Sequence, residues 1–297
     1  MPELATMHPG PGLEAGDSGE YAGFHEGSYT ELDTDFEHYG EFMAAVYLAS
    51  KAGDHLLESQ RDAIESESKG GSEVVTKAEE ELERLVADYL GEEGYDVVGE
   101  ETGGEASDGY FLVDPVDGSG NFSDGGNNYA FAISYIEDGE TRASAVSTPR
   151  RHDLEDGRKL YAAAEGQGAF LRGRPLETGD GEGFYAKVSD RNRELRQDVE
   201  SPVFNGLKSL EGNRVNSLGA ATVELAELAE GSAAGVFQGA IHGYDVDAAN
   251  LIVEEAGGEV EMFEGDFREF PALIAGKDYE TVEEIKEVYR DEVGTIE

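Results

Sequence analysis

Leu112-Val113-Asp114-Pro115-Val116-Asp117-Gly118-Ser119-Gly120-Asn121-Phe122 is the stretch on which the reading of this chain turns. The apolar run Phe111-Leu112-Val113 predicts a short buried strand, and the pattern then breaks. Pro115 has no N–H for a sheet ladder, and Gly118 and Gly120 admit backbone conformations that other residues avoid. Asp114 and Asp117 therefore stand where a strand ends and the chain turns, which is where α/β proteins carry their chemistry.

Two carboxylates three residues apart, with a backbone carbonyl between them, make an all-oxygen donor set suited to a hard cation such as Mg²⁺. Beyond Asp117, the amides of Gly118, Ser119 and Gly120 can point together at an anion, as at a nest or a helix N-terminus. A cation clamp beside an anion cradle is what phosphate-ester hydrolysis needs. The plain alternative is a solvated Asp/Gly turn, common in an acidic chain. Two other motifs fail on position. A calcium loop starting at Asp117 would have Phe122 in place of its Gly and Asn128 in place of its Glu, and a nucleophile elbow would need Gly where Asp117 stands.

Asp114-Pro115-Val116-Asp117-Gly118-Ser119 resembles the Asp-Pro-x-Asp-Gly-Thr/Ser signature of the inositol monophosphatase family, within the Mg²⁺-dependent, lithium-sensitive phosphatases that include fructose-1,6-bisphosphatases. Its partners follow in chain order. From Phe42 to Ile64 apolar residues recur at helical spacing, and Ala52-Gly53 followed by Leu56 is similar to the family's first helix. A Ser/Gly-rich loop over 65–72 leads to Glu73-Val74-Val75-Thr76-Lys77-Ala78-Glu79, which resembles Asp-x-Val-Thr-x-x-Asp with Glu79 in place of the last acid. An acidic first helical turn would explain Glu79 equally simply. Lys69 falls near the family's basic residue, and Gly99-Glu100-Glu101 resembles its Gly-Glu-Glu.

Tyr129 to Ile136 alternates as a strand, Glu137-Asp138-Gly139-Glu140 predicts a hairpin turn, and residues 143–146 form the return. Leu160 to Ala164 and Gly166-Gln167-Gly168-Ala169-Phe170 predict a further pair, the second similar to a family hairpin. Gly166-x-Gly168 has no third glycine at the dinucleotide-binding spacing. Beyond Pro175 helix and strand alternate. Ser217-Leu218-Gly219-Ala220-Ala221 opens a helix, Val236-Phe237 is a short strand, and Leu273 to Ala275 precede a closing helix over 282–289. Tyr244-Asp245-Val246-Asp247-Ala248, followed by Ala256-Gly257-Gly258, resembles the family's second signature with Tyr244 replacing Trp. At a helix start Asp245 would also serve as an N-cap. Asp247 is read as a surface charge and His242 as structural.

The resemblance implies a mixed α/β (α+β) fold, a five-layer αβαβα sandwich assembled as a homodimer, with the site between two halves. Residues 1–35 would be a flexible acidic extension, 36–172 the half carrying the metal and phosphate motif, and 173–297 the half completing the site. Glu101, Asp114, the Val116 carbonyl, Asp117 and Asp245 would share two or three Mg²⁺ ions. Glu79 and the Ser119 hydroxyl would orient a metal-activated water that attacks phosphorus directly. The amides of Gly118 and Ser119 would hold the phosphate. Gly219, Ala220, Ala221, Gln238 and Asp245 would face the rest of the substrate. Gln238 is neutral where inositol-phosphate enzymes carry an acid, and Asn216 stands where Arg is common. A sugar or inositol phosphate, including inositol 1-phosphate and fructose 1,6-bisphosphate, is the expected small-molecule ester. Two alternatives stay open: a non-catalytic relative that binds phosphometabolites or metal, and a 3′-phosphatase acting on 3′-phosphoadenosine 5′-phosphate. The chain shows no basic or aromatic cluster that would hold a base.

Composition narrows the setting. Net charge is −44, from 22 Lys+Arg against 66 Asp+Glu, spread along 297 residues among recurrent apolar segments. That distribution argues for a folded chain. Such self-repulsion calls for screening salt, so the source is read as halophilic, of haloarchaeal type. Charge disfavours nucleic acid and anionic membranes as partners, and neither is expected. There is no cysteine, hence no disulfide and no thiolate zinc site. No apolar run reaches spanning length and no signal segment is evident, so a cytoplasmic location is expected.

Overall fold

The computed structural model describes residues 29, 32, 35–66, 71–99, 103, 108–149, 158–187, 195–210, 213–241, 245–263 and 271–294. Two helices come first, α1 (Tyr39–Ser66) and α2 (Gly71–Glu92). A seven-stranded sheet follows: β1 (Asp96–Gly99), β2 (Gly109–Asp117), β3 (Ala130–Glu137), β4 (Glu140–Pro149), β5 (Arg158–Ala164), β6 (Gly168–Leu171) and β7 (Arg174–Leu176), with the short helix α3 (Ser119–Ser123) after β2. Its strands lie in sequence order, β1 parallel to β2 and every later pair antiparallel.

The second sheet has the order β11-β12-β10-β8-β9, from β8 (Phe184–Ala186), β9 (Val215–Asn216), β10 (Gly235–Gln238), β11 (Glu259–Phe263) and β12 (Ala272–Gly276). Its helices are α4 (Ser201–Ser209), α5 (Ala221–Ala229), α6 (Asp247–Glu255) and α7 (Tyr279–Glu292). Stacked, these give α1 and α2, the first sheet, α5 and α6, the second sheet, then α4 and α7. This is the five-layer αβαβα sandwich expected from the sequence.

Three apolar cores separate the layers, and β3 shows how. Phe131, Ile133 and Tyr135 point to the first core, with Phe42, Leu56 and Leu82. Ala130 and Ala132 point the other way, against the layer holding Leu225 and Ile252. Both faces of the strand are buried, so it reads as nearly continuous apolar sequence. Beyond the second sheet, Phe237 and Ile274 meet Val203, Ile285 and Tyr289. Close packing needs Gly53: a Cβ there would lie 2.0 Å from Ser147 Oγ on β4, so α1 can rest on the sheet only without a side chain.

The expected hairpin turn is present, with Asp138 and Gly139 both at positive φ (54° and 80°), the type I′ geometry that matches strand twist. Several elements differ from expectation. The helix after the Ser/Gly loop begins already at Gly71, and β7 carries the first sheet past residue 172. Strand β9 is two residues long, and β11 is an edge strand in which Glu259 and Glu261 alternate with Val260 and Met262. Charged edges of this kind deter pairing with other chains. No helix among the described residues is long and apolar enough to cross a membrane.

Candidate functional site

The end of β2 is shaped by Pro115. Asp114 pairs with Ala132 and Asp117 with Ala130, so the strand carries one extra residue where the proline cannot donate. In a regular strand residues 114 and 117 would face opposite sides of the sheet; the bulge breaks that alternation. The carboxylate of Asp114, 2 % exposed, accepts the Val116 N–H at 3.0 Å, which fixes the turn. Gly118 then adopts φ 83°, and its carbonyl accepts the Phe122 N–H at 3.0 Å to start α3.

Ser119, first residue of α3, reaches back. Its Oγ lies 2.9 Å from Glu79 Oε1 on α2 and 2.9 Å from the Val116 carbonyl oxygen. A hydroxyl has one proton, so it donates to one of these at a time. The extra methylene of Glu79, compared with the family Asp, is spanned by this contact. Gln60 of α1 braces the same loop, donating to the carbonyls of Phe122 (3.2 Å) and Gly126 (2.9 Å).

The second half meets this loop at the start of α5. A Cβ on Gly118 would fall 2.9 Å from Ala220 Cβ, so the turn that carries Gly219, Ala220 and Ala221 lies directly against the first-half loop. The Thr222 N–H donates to Asp117 Oδ2 at 2.7 Å, and its Oγ1 donates to the Asp245 carbonyl at 2.6 Å. One buried threonine thus ties a ligand candidate of each half to the other. Nothing in the motifs marks it; the only sequence signal is a hydroxyl on an otherwise apolar helix face.

Electrostatics register the crowding. Burial pushes the Asp117 carboxyl up to about 7, and Asp245 adds to the rise, while hydrogen bonds from Thr222 and the charge of Lys187 oppose it. Burial, with Asp245 again, pushes Asp247 up to about 6. Asp247 is therefore part of the acidic cluster at the α6 start and not the plain surface charge expected. Lys187, just beyond β8, is the basic side chain whose field reaches Asp117, and no motif pointed to it.

Glu79, Val116, Asp117, Gly118, Ser119, Ala220 and Asp245 are thus linked by contact or field across the two halves, with Asp114 at the base of the loop. Gln238 is different: it is 1 % exposed, and its Nε2 donates to Glu224 Oε2. It lies behind the site and offers no surface to a substrate. Asn216 is exposed on β9. Glu101, like Lys69, Glu100, His242 and Tyr244, lies outside the described residues.

The donor set fits a hard cation. Asp114, Asp117, Asp245 and the Val116 carbonyl present oxygen only, and two of the carboxylates raise each other's cost of ionisation. A divalent ion would remove that cost. Among the described residues alone no three acidic or imidazole side chains close into a preformed cage.

The chain matches the model of the inositol monophosphatase family over residues 40–291. It is similar to the fructose-1,6-bisphosphatase/inositol-1-monophosphatase of Thermotoga maritima, 27 % identical over 225 residues, covering 74 % of this chain and 84 % of that one. It is equally similar to Nus factor SuhB of Escherichia coli, 27 % identical over 231 residues with the same coverage. Its fold is shared with Mycobacterium tuberculosis SuhB (TM-score 0.69, 24 % identity, 88 % of this chain and 99 % of that one). The inositol monophosphatase of Anabaena aligns as well (TM-score 0.69, 18 % identity, 86 % and 97 %). With motif order, fold and the match over 40–291 in agreement, this chain belongs to the inositol monophosphatase family.

Proposed function

We propose that this protein is a Mg²⁺-dependent phosphomonoesterase that hydrolyses a sugar or inositol phosphate, inositol 1-phosphate, fructose 1,6-bisphosphate or both. The observation that carries the reading is the Thr222 bridge, which holds Asp117 of one half beside Asp245 of the other. Asp114, the Val116 carbonyl, Asp117, Asp245 and Glu101 would hold the ions. Mg²⁺ bound there neutralises the phosphate and lowers the pKa of a coordinated water.

The chain's own groups do the rest. When Ser119 Oγ donates to the Val116 carbonyl, Glu79 Oε1 is left to accept an O–H from the attacking water and orient it toward phosphorus. The Gly118 and Ser119 amides meet the phosphate oxygens, where charge builds in the transition state. The P–O bond to the substrate alcohol would break as the water oxygen bonds to phosphorus, the water giving up a proton toward Glu79 and the departing oxygen taking one from solvent, with no covalent adduct to the protein. The Thermotoga relative, named for both activities, supports the choice of substrates. The relatives named Nus factor SuhB support a second reading, in which the chain binds metal or phosphometabolites without turnover. A homodimer, a cytoplasmic location and a halophilic, haloarchaeal-type source belong to the proposal too; the last is supported by the −44 charge.

Phosphate release in molar KCl, with and without Mg²⁺, tests it. The substrates are inositol 1-phosphate, fructose 1,6-bisphosphate, glucose 1-phosphate and 3′-phosphoadenosine 5′-phosphate. Mg²⁺-dependent release from a sugar phosphate, lost in Asp117→Asn with the fold intact, is expected. Silence on all four from folded protein would favour the second reading, and release from the nucleotide alone would make it a 3′-phosphatase.

A further inference from the structure

The turn that faces the phosphate loop is gripped from both sides by residues no motif assigns. From the first half, Asn121 of α3 sends its Nδ2 between the Asn128 carbonyl (2.7 Å) and the Leu218 carbonyl (2.9 Å). From the second half, Glu224 of α5 accepts the N–H of the same Leu218 on Oε1 at 2.6 Å. Both ends of the one residue are thus fixed, its carbonyl to the phosphate loop and its amide to the helix behind. Gly219 follows at φ 75°, a conformation that suits glycine, and a Cβ there would lie 3.4 Å from Asn121 Nδ2.

Glu224 is wholly buried and its second oxygen takes the Gln238 Nε2. The Gln238 amide presents its NH₂ to that oxygen, and its own Oε1 finds no donor among the described residues. This accounts for a neutral residue at 238: an acid there would set two buried carboxylates face to face. Burial pushes the Glu224 carboxyl up to about 8, the Leu218 amide opposes the rise, Asp117 adds to it, and Gly219 and Gln238 oppose it. Each of those three N–H donors favours the charged form against its burial.

We propose that Glu224, matched to Gln238 behind it and to Asn121 across the cleft, is a positioning residue that sets the Leu218–Gly219–Ala220 turn and so controls how the non-phosphate part of the substrate is held. The proposal rests on the phosphatase reading for its kinetic consequence, and on hydrogen bonds alone for its structural one. The amide and carboxylate of the pair are interchangeable in principle. In Glu224→Gln with Gln238→Glu, the new Gln accepts the Leu218 N–H on its oxygen and donates its NH₂ to the new Glu. Gln238→Glu alone sets two carboxyls face to face, and Glu224→Ala alone removes the acceptor of the Leu218 N–H.

The test uses the full chain in molar KCl with Mg²⁺, as Glu224→Ala, Gln238→Glu, the double exchange Glu224→Gln with Gln238→Glu, and Asn121→Ala. KM and kcat are measured on inositol 1-phosphate and fructose 1,6-bisphosphate, and on p-nitrophenyl phosphate, an ester with no sugar hydroxyls. Hydrogen exchange follows the Leu218 and Gly219 amides, with the β3 and β4 amides as the fold control. Each single variant is expected to raise KM for the sugar phosphates about tenfold, with much less change for the nitrophenyl ester. It should also speed Leu218 and Gly219 exchange, and the double exchange should recover both. Unchanged KM ratios, unchanged Leu218 exchange in the singles, or a double variant worse than either single would overturn the proposal. If Glu224→Ala does not fold, Asn121→Ala at its half-exposed site decides the same exchange and KM comparisons. A wild type that hydrolyses no ester sinks the phosphatase reading, while the exchange data still settle the clamp.

Discussion

Gly118→Ala puts one methyl group at the junction of the two halves. Gly118 has φ 83° and ψ 33°, a left-handed conformation that costs an L-residue roughly 1–2 kcal/mol. The new Cβ would stand 2.6 Å from the Asn128 carbonyl oxygen and 2.9 Å from Ala220 Cβ. The carbonyl cannot swing aside freely, since it accepts Asn121 Nδ2 at 2.7 Å. Overpacking against fixed backbone adds about 1–3 kcal/mol, for a total loss of about 2–5 kcal/mol. Gly120, two residues on, is the internal control. It is exposed within α3 and a Cβ there meets nothing within 4 Å, so Gly120→Ala should stabilise by up to about 0.5–1 kcal/mol. Urea unfolding in molar KCl measures both, as midpoint shifts at constant slope. A Gly118→Ala protein within about 0.5 kcal/mol of wild type, or no less stable than Gly120→Ala, would refute the packing argument.

Thr222→Val keeps the shape and the N–H to Asp117 but removes the hydroxyl on the Asp245 carbonyl; unfolding should show a loss of about 1–3 kcal/mol, and Mg²⁺ should stabilise the variant less than wild type in the same assay. Glu79→Gln should lower kcat about 10²–10⁴-fold with little change in stability, and Glu79→Asp should also lose rate, because the shorter side chain no longer meets Ser119 Oγ at 2.9 Å; steady-state phosphate release decides both. Asp278 caps α7, accepting from the Thr281 N–H at 2.8 Å and its Oγ1 at 2.7 Å, and these donors hold its carboxyl below the ordinary value of 3.8. Its stabilisation is therefore fully present above that value and fades as pH falls through the lowered one. Asp278→Ala should cost about 0.5–2 kcal/mol near neutral pH and progressively less in acid, read from urea midpoints across the pH range.

Much of this protein was legible in its residues, for reasons that lie close together along the chain. Phe42 to Leu56 repeat at helical spacing, Asp138-Gly139 carry their own turn geometry, and Pro115 interrupts the β2 ladder whatever surrounds it. Motif order from Ala52 to Gly258 carried the family and with it the five layers. What those local signals left out depends on partners distant in sequence. Thr222 is an ordinary helix residue until folding sets it between Asp117 and Asp245. Asp247 looks like any surface acid until α6 brings it beside Asp245, where burial and like charge lift it to about 6. Gln238 stands where a substrate contact is expected, yet the chain folds it against Glu224. The composition and order of motifs thus determined the fold, the donor chemistry and the acidic surface. Tertiary structure decided which carboxylates share a field, which amides face them and which side chains meet solvent, because desolvation and hydrogen bonding act through space and not along the chain.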